Sequence, residues 1–368
     1  MRADVIRLGM VGGGQGAFIG EVHRLAARLD GHYCLVAGAF SSNPEISKKS
    51  GEALGIAPER VYGSFEEMAK AEAKRADGIN AVAIVTPNHL HYSVAKAFLE
   101  VGIHVICDKP VTSTLEEALL LNNAVAESDA KFMLTHTYSG YPMVREAKRI
   151  VASGELGTLR MVQVEYAQGW LAEEVKSKQA DWRADPSKAG IGGCIGDIGT
   201  HAYHLARFIS GLEVEAVSAD LTSFVPGRVL DDNANVMMRF KGGARGMLWA
   251  SQVAIGCDNG LSIRLFGEKG AIEWRQEAPN DLWLSLLGQP TQKLTRGGVN
   301  TQAAVRVPAG HPEGYIEAFA SLYDDFAQQL NGADVLVPDM VDGLDGMRFV
   351  YAAVRSSQQG GSWESVSV

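Results

Sequence analysis

The sequence has few cysteines, and no recognised spacing pairs them. The four cysteines are scattered along the chain at Cys34, Cys107, Cys194 and Cys257. A disulfide framework or a structural zinc site requires cysteines that cluster at short spacings, such as C-x-x-C. The pattern therefore predicts neither of these sites, and it favours the reducing environment of the cytoplasm.

The chain also lacks a basic segment and a long uninterrupted apolar run. It carries 34 Lys and Arg residues against 43 Asp and Glu residues, which gives a formal net charge of -9. Because nucleic-acid-binding proteins present a basic patch or stripe, no nucleic-acid partner is expected. No apolar stretch is long enough to cross a bilayer, and Met1 to Leu8 has no signal-peptide pattern, so no membrane partner is expected either.

What the sequence does contain is a change of pattern after its first third. The first third alternates strand-like and helix-like runs, and Ala81 to Thr86 is a continuous apolar run typical of a strand covered on both faces. From Leu159 onward, longer runs of alternating polarity indicate an antiparallel sheet. We predict an α/β protein with a parallel-sheet domain at 1–135 and an α+β domain at 136–368, the closing helix packing near their junction.

A glycine-rich turn follows the first predicted strand and opens the first predicted helix. It reads Gly12-Gly13-Gly14-Gln15-Gly16-Ala17, and it contains the pattern G-x-G-x-x-A. Such glycines allow a tight turn and leave the backbone bare, so that a pyrophosphate can approach the N–H groups of the helix N-terminus. We interpret this turn as the phosphate-binding loop of a Rossmann-type, dinucleotide-binding domain; the alternative is a flexible loop without a ligand.

The second predicted strand lacks the acidic residue that usually binds the adenosine ribose of NAD. It ends in Ser41, Ser42 and Asn43 instead, which can donate hydrogen bonds to a ribose or to a 2′-phosphate. No arginine stands there to select NADP, so the choice between NAD and NADP stays open at this point. The same three side chains are also typical of a helix cap.

The next two strand ends carry further candidate cofactor contacts. Thr86 and Asn88 follow one strand, at the edge where a parallel sheet forms its cofactor crevice, and His91 opens the next helix. His91 is either a direct contact or a packing residue. Lys109 ends the following strand, beside Asp108, where its ammonium can hydrogen-bond a substrate oxygen that gains negative charge; the alternative is a surface lysine.

A second candidate group lies in the later half of the chain. Asp197 and His201 are four residues apart, which places them on one face if the segment is helical, and His204 follows one turn later. A carboxylate that orients an imidazole suits a base that takes a hydroxyl proton and returns it. A metal site is the rival interpretation, but no cysteine or further carboxylate clusters there, so no metal is expected.

In combination these motifs resemble the Gfo/Idh/MocA family of NAD(P)-dependent oxidoreductases. The motifs occur in the family's order: the glycine turn, Thr86-Pro87-Asn88, Asp108-Lys109-Pro110, Trp182-Arg183, and Gly192-Gly193 followed by Asp197-x-Gly199-x-His201. The resemblance implies a Rossmann domain followed by an open, predominantly antiparallel sheet that forms the substrate wall and mediates homo-oligomers. It also implies that Lys109, Asp197 and His201 carry the chemistry.

The sequence departs from the family pattern at three positions. Asp108 replaces a glutamate, Ser139 stands near a usual arginine, and His204 occupies a place often taken by aspartate or asparagine. Each departure affects details of the substrate or cofactor site. Candidate substrate contacts are Lys109, Tyr138, Trp182, Arg183, Asp197, His201 and His204.

The predicted function follows from these groups and from the resemblance. We expect a dehydrogenase or reductase that transfers a hydride between the nicotinamide C4 and a secondary hydroxyl of a sugar, glycoside or inositol-like polyol. In this prediction Lys109 and His201 meet at one substrate. The alternatives are a dinucleotide-binding regulatory protein without turnover and an oxidoreductase that retains its cofactor between two partners.

Overall fold

The computed structural model describes residues 5–173 and 186–367 of the chain. Its contacts divide the chain into two compact units. The first unit comprises Met1–Thr137 with Phe319–Leu344, and the second comprises Tyr138–Ala318 with Asp345–Val368, in both cases as far as the residues are described. Each unit therefore takes segments from both halves of the sequence.

The first unit is built on a five-stranded parallel sheet. In spatial order its strands are β2, β1, β3, β4 and β5. Their bounds are β1 (Ile6–Gly12), β2 (Tyr33–Ala39), β3 (Ala81–Val85), β4 (His104–Cys107) and β5 (Phe132–Leu134). All five residues of β3 are buried, as the continuous apolar run predicts for a strand with both faces covered. The predicted Rossmann-type parallel sheet is confirmed.

Helices connect these strands. They are α1 (Phe18–Leu29), α2 (Pro44–Ala53), α3 (Phe65–Glu72), α4 (His91–Leu99) and α5 (Leu115–Glu127). Of these, α2, α3 and α5 each begin at a residue whose side chain caps the helix. Asn43 caps α2 and Pro44 occupies its first turn, whereas Ala17 precedes α1 without a side-chain cap. The strand order changes direction between β1 and β3, which in such sheets opens a crevice at the carboxyl ends of the strands.

The second unit contains a nine-stranded, mostly antiparallel sheet, which confirms the second part of the predicted fold class. In spatial order its strands are β13, β12, β11, β10, β6, β9, β8, β7 and β14, and only the described pair β6–β9 is parallel. Their bounds are β6 (Leu159–Ala167), β7 (Val214–Thr222), β8 (Asn233–Phe240), β9 (Arg245–Ser251), β10 (Gly260–Gly267), β11 (Gly270–Arg275), β12 (Asp281–Leu286), β13 (Gln292–Thr295) and β14 (Glu364–Ser365).

One face of this sheet forms a hydrophobic core with helices, and the other face is open in the described chain. The helices of this unit are α6 (Pro142–Ala152), the short α7 (Pro186–Ala189) and α8 (Thr200–Ser210). Residues 315–318 of α9 (Tyr315–Leu330) and residues 345–358 of α10 (Met340–Gln358) also belong to it, and the rest of these two helices belongs to the first unit. Residues alternate between buried and exposed along β8, as expected when only one face is covered. Within this unit Phe349 of α10 stacks on Tyr203 of α8 at a centroid separation of 4.2 Å.

In the part of the chain that the structure describes, none of the helices combines the length and apolar character needed to cross a membrane.

Candidate functional site

The glycine turn after β1 is held against the neighbouring strand ends. Gly12, Gly13 and Gly16 have φ angles of 81°, 69° and 80°, which favour glycine because side chains rarely adopt them. A Cβ on Gly12 would lie 2.7 Å from the Val85 carbonyl oxygen, and one on Gly14 would lie 2.8 Å from that of Phe40. A Cβ on Gly16 would meet nothing within 4 Å, so its backbone faces open space.

This turn has the features that a pyrophosphate requires. A groove of about 470 Å³ lies along Gly13–Phe18 and the neighbouring helices. Ala17 provides no side-chain cap for α1, so a helix N-terminus with its partial positive charge opens beside bare glycine backbone. The predicted cofactor contacts Gly12, Gly14, Gln15, Gly16 and Ala17 all belong to this turn, and the Gln15 N–H donates to Ser50 Oγ at 3.1 Å. The residues present therefore fit the phosphates of a dinucleotide.

The residues that follow β2 cap the next helix. A helix cap was one of the two roles considered for Ser41, Ser42 and Asn43, and contact with the adenosine ribose or its phosphate was the other. The Asn43 side-chain oxygen accepts from the backbone N–H groups of Glu45 and Ile46 at 3.0 and 3.2 Å. The Ser41 hydroxyl oxygen accepts from the Asn43 N–H at 3.2 Å, and Ser42 is exposed. The side-chain oxygens of Ser41 and Asn43 are therefore used within the loop.

A buried histidine links the loops that follow β3 and β4. His91 Nδ1 lies 2.7 Å from the Pro110 carbonyl oxygen, and its Nε2 lies 2.9 Å from that of Thr86. The ring is only 1% exposed, and burial lowers the pKa of His91 below its usual value. Its position makes His91 a structural link between two strand ends that carry candidate cofactor residues.

Thr86 and Asn88 occupy the loop after β3. Thr86 Oγ1 is buried and has no hydrogen-bond partner among the described residues, and Asn88 is buried as well. A buried hydroxyl without a partner costs free energy, and a ligand that supplies the missing bond recovers it. The unsatisfied Thr86 hydroxyl, like the glycine turn before α1, is therefore consistent with a bound dinucleotide.

Asp108 shapes the loop that carries Lys109. One Asp108 carboxylate oxygen accepts from the Lys109 N–H at 3.0 Å and from the Thr135 hydroxyl at 2.9 Å. The Lys109–Pro110 peptide bond is cis, and the Lys109 side chain is half-buried. Asp108 is one methylene shorter than the glutamate of the family pattern, and its carboxylate holds this loop to Thr135, directly after β5.

The segment carrying Asp197 and His201 begins as a π-helical turn and continues as α8. The turn spans Ile195–Gly199, and Asp231 holds its start. The Asp231 carboxylate accepts from the N–H groups of Gly193 and Ile195 at 2.6 and 2.8 Å, and from the Cys194 thiol at 3.1 Å. A Cβ on Gly193 would lie 2.0 Å from the Asp231 carbonyl oxygen, which explains the glycine before this helix.

Aromatic and amide side chains surround His201 within the second unit. The Tyr138 ring lies edge-on to the imidazole with centroids 4.9 Å apart, and Tyr166 lies at 6.2 Å. The two tyrosine hydroxyls are hydrogen-bonded to each other, and Tyr166 also donates to Asn259 Oδ1 at 2.6 Å. Burial raises the pKa of Tyr138, so both hydroxyls remain protonated donors near neutral pH.

Asp197 is held by a side chain from the end of β9. Gln252 Nε2 donates to Asp197 Oδ2 at 2.9 Å. Sequence reasoning missed Gln252, Asp231, Tyr166 and Asn259, because strand pairing rather than local spacing brings them to this helix. The only signal was the occurrence of polar residues inside or beside apolar strands.

Three of the predicted substrate contacts, His204, Trp182 and Arg183, gain no support from the described residues. His204 is 4% exposed, and burial followed by nearby Arg207 and Lys148 lowers the pKa of His204 to about 3. Its ring lies 5.7 Å from that of Phe208, so the described structure places His204 in the interior of the second unit. Trp182 and Arg183 lie outside the described residues.

The parallel sheet with its glycine turn has the architecture of a dinucleotide-binding Rossmann domain, and a second sheet domain follows it. Residues 6–136 match the model of an oxidoreductase family with an NAD-binding Rossmann fold. Residues 144–273 match the Gfo/Idh/MocA C-terminal domain. The chain belongs to the Gfo/Idh/MocA family, and it is an NAD(P)-dependent oxidoreductase.

Three relatives show how closely the chain follows this family. A crystal structure of an oxidoreductase from Sinorhizobium meliloti is 54% identical, has a TM-score of 0.92, and is matched over 98% of this chain and 99% of that chain. An inositol dehydrogenase homolog from Azotobacter vinelandii, complexed with NADH and myo-inositol, is 36% identical with a TM-score of 0.93 over 99% and 98% of the two chains. A levoglucosan dehydrogenase of Pseudarthrobacter phenanthrenivorans is 30% identical over 84% of this chain and 82% of its own.

Proposed function

We propose that this protein is a dehydrogenase of sugars or cyclic polyols. It would transfer a hydride between a secondary carbinol carbon and the nicotinamide C4. The observation that carries this proposal is the surroundings of His201, where the Tyr138 and Tyr166 rings lie 4.9 and 6.2 Å from the imidazole and the Tyr166 hydroxyl is hydrogen-bonded to Tyr138 and to Asn259. Polyhydroxylated rings bind to such surfaces, which combine apolar aromatic faces with convergent hydrogen-bonding groups.

In the proposed reaction, the chain's own residues handle the proton and the oxygen. His201 takes the hydroxyl proton as the carbon gives up its hydride, and Asp197 orients the imidazole. Lys109 hydrogen-bonds the same oxygen and stabilises the negative charge that develops on it. A bound nicotinamide would supply the acceptor for the hydride. The secondary alcohol would then become a ketone, with its hydroxyl proton held on His201.

NAD is the proposed cofactor. The side-chain oxygens of Ser41 and Asn43 accept bonds within the helix cap, and Glu45 adds an exposed carboxylate in the first turn of α2. A 2′-phosphate needs positive charge at this position, which residues 39–45 do not supply. We expect kcat/KM for NAD⁺ to exceed that for NADP⁺ by at least tenfold.

A substrate screen tests the proposal directly. Purified protein is incubated with NAD⁺ or NADP⁺ and a panel that includes myo-inositol, levoglucosan, aldoses and other inositols, and absorbance of the reduced nicotinamide is followed. The proposal expects turnover of at least one cyclic polyol or sugar. Tight cofactor binding without turnover across the panel would instead indicate a regulatory dinucleotide-binding protein.

A further inference from the structure

A buried amide side chain, that of Gln252, directly follows β9 in the second unit. Gln252 is 3% exposed. Its backbone N–H donates to the Asp232 carbonyl oxygen at 2.9 Å, and its carbonyl oxygen accepts from the Leu171 N–H at 3.1 Å. The backbone is therefore fixed on both sides, and the side chain starts from a rigid position.

From this position the amide reaches Asp197, one of the catalytic candidates. Gln252 Nε2 lies 2.9 Å from Asp197 Oδ2. The amide must present its NH₂ group there, because its oxygen would face another acceptor. A buried polar side chain so close to a carboxylate restricts which way that carboxylate points.

We infer that Gln252 is a positioning residue, which holds the Asp197 carboxylate in the orientation that Asp197 needs to direct His201. This inference rests on the proposed function, in which His201 is the acid–base group. A neutral donor suits this task because it fixes the carboxylate without neutralising its charge. A lysine or arginine at this position would pair with Asp197 and weaken its effect on the imidazole.

Three titratable groups close to Asp197 do not change their charge near neutral pH. The hydroxyls of Tyr138 and Tyr166 are close enough to feel its charge, and so is the Cys194 thiol, which Asp231 also holds. Burial raises the pKa of each of these three groups, so none of them titrates near neutral pH. These three groups should therefore not obscure the pH dependence that an ionisable group at position 252 introduces.

Two substitutions of Gln252 should differ in their dependence on pH. Gln252→Met keeps the length but removes the donor, so we expect kcat to fall by about 10- to 100-fold at every pH, with the KM for NAD⁺ unchanged. In Gln252→Glu, the new carboxyl group can donate a hydrogen bond to Asp197 as long as the two groups share a proton. Once that proton leaves, the two negative carboxylates repel each other. The activity of this variant relative to the wild type should therefore fall as pH rises.

Gln289 provides matched controls in the second unit. It is exposed in the turn between β12 and β13, where its backbone N–H donates to the Leu286 carbonyl oxygen at 3.0 Å. Gln289→Met and Gln289→Glu should keep the wild-type rate and pH profile. Turnover is measured with the panel compound that reacts fastest with NAD⁺, and thermal unfolding is recorded for each variant.

A second readout needs no substrate. The His201 imidazole is titrated by NMR and assigned by its loss in His201→Ala. Gln252→Glu should raise the pKa of His201, because it adds a negative charge beside Asp197, whereas Gln289→Glu should not. An unchanged His201 titration in Gln252→Glu would overturn the inference, and so would a Gln252→Met loss that only follows the fraction unfolded. If His201→Ala turns over normally, the proposed function fails instead.

Discussion

The two residues that define the proposed chemistry are Lys109 and His201. We expect Lys109→Met and His201→Ala each to lower kcat by at least about 100-fold, because one loses the stabilised oxygen and the other loses the base. Binding of NADH, measured by fluorescence, should survive in both variants. Turnover near the wild-type level in either variant would remove that residue from the mechanism.

The buried Thr86 hydroxyl allows cofactor binding to be separated from folding. Thr86→Val removes a group that has no hydrogen-bond partner in the described structure, so the free protein should be as stable as the wild type or slightly more stable. If the cofactor supplies the missing bond, its affinity should fall by roughly fivefold, which corresponds to about 1 kcal/mol. Calorimetric titration with NADH measures this change.

Thr114 gives the opposite pattern and serves as the control. Its hydroxyl oxygen accepts from the Glu117 N–H at 3.2 Å and so caps α5. Thr114→Val should therefore lower stability by about 1 kcal/mol and leave the affinity for NADH unchanged. An unaltered affinity in Thr86→Val would show that the cofactor does not use that hydroxyl.

Buried histidines give the protein a defined response to acid. Burial lowers the pKa of His23 to about 4 and that of His204 to about 3, both well below the unfolded value of 6.5. Each ring is neutral when folded and takes up a proton on unfolding below pH 6.5, so the stability it contributes is present above that pH. This contribution is lost as the pH falls toward the folded pKa values.

Substitution of His204 should flatten this response. Between about pH 6 and pH 4, the free energy of unfolding should change less steeply with pH in His204→Gln than in the wild type. The difference between the two slopes should be up to about 1.4 kcal/mol per pH unit. Urea denaturation at a series of pH values gives the slopes, and an equal slope in His204→Gln and wild type would contradict the buried, neutral state.

The helix that carries Asp197 and His201 depends on one carboxylate at its start. Burial raises the pKa of Asp231, although the bonds donated by Gly193, Ile195 and Cys194 oppose this effect. Asp231→Asn keeps the shape but places an NH₂ group against a backbone N–H, so we expect a loss of about 2 kcal/mol in the free energy of unfolding. Asp258 is exposed, and Asp258→Asn should change neither stability nor turnover.

Elements with a strong local pattern were predicted well from the sequence. The strand expected over Ala81 to Thr86 is β3 (Ala81–Val85), and the alternating runs expected from Leu159 onward begin with β6 at that residue. The segment around Asp197 differs from a regular helix, since its first turn is π-helical and is fixed by Asp231. No local pattern encodes that contact, which spans more than thirty residues.

The surroundings of His201 could not be predicted for the same reason. Tyr166 and Asn259 meet because β6 pairs with β10, where Tyr166 lies opposite Leu261. Such a pairing depends on the register of two distant strands, and single-sequence periodicity does not contain it. The roles assigned to Lys109, Asp197 and His201 come from the family resemblance and stay predictions until they are measured.

The molecule as a whole presents one sheet face that lacks a covering layer in the described chain. Met161, Met237 and Met247 are 47%, 52% and 58% exposed, and Met237 pairs directly with Met247 across β8 and β9. Contiguous exposed apolar side chains on a large sheet commonly mark an interface between subunits. This face is therefore the expected contact of the proposed homo-oligomer.

Charge placed on this face should break the assembly. We expect the double variant Met237→Lys with Met247→Lys to reduce the molar mass measured by light scattering after gel filtration, because both partners would bury uncompensated ammonium groups. Leu287 is 82% exposed in the turn between β12 and β13, and Leu287→Lys should leave the mass unchanged. A wild-type protein that elutes with the mass of one chain would show that the open face has another use. If the double variant is monomeric but keeps its turnover, the second sheet assembles the subunits without completing the active site.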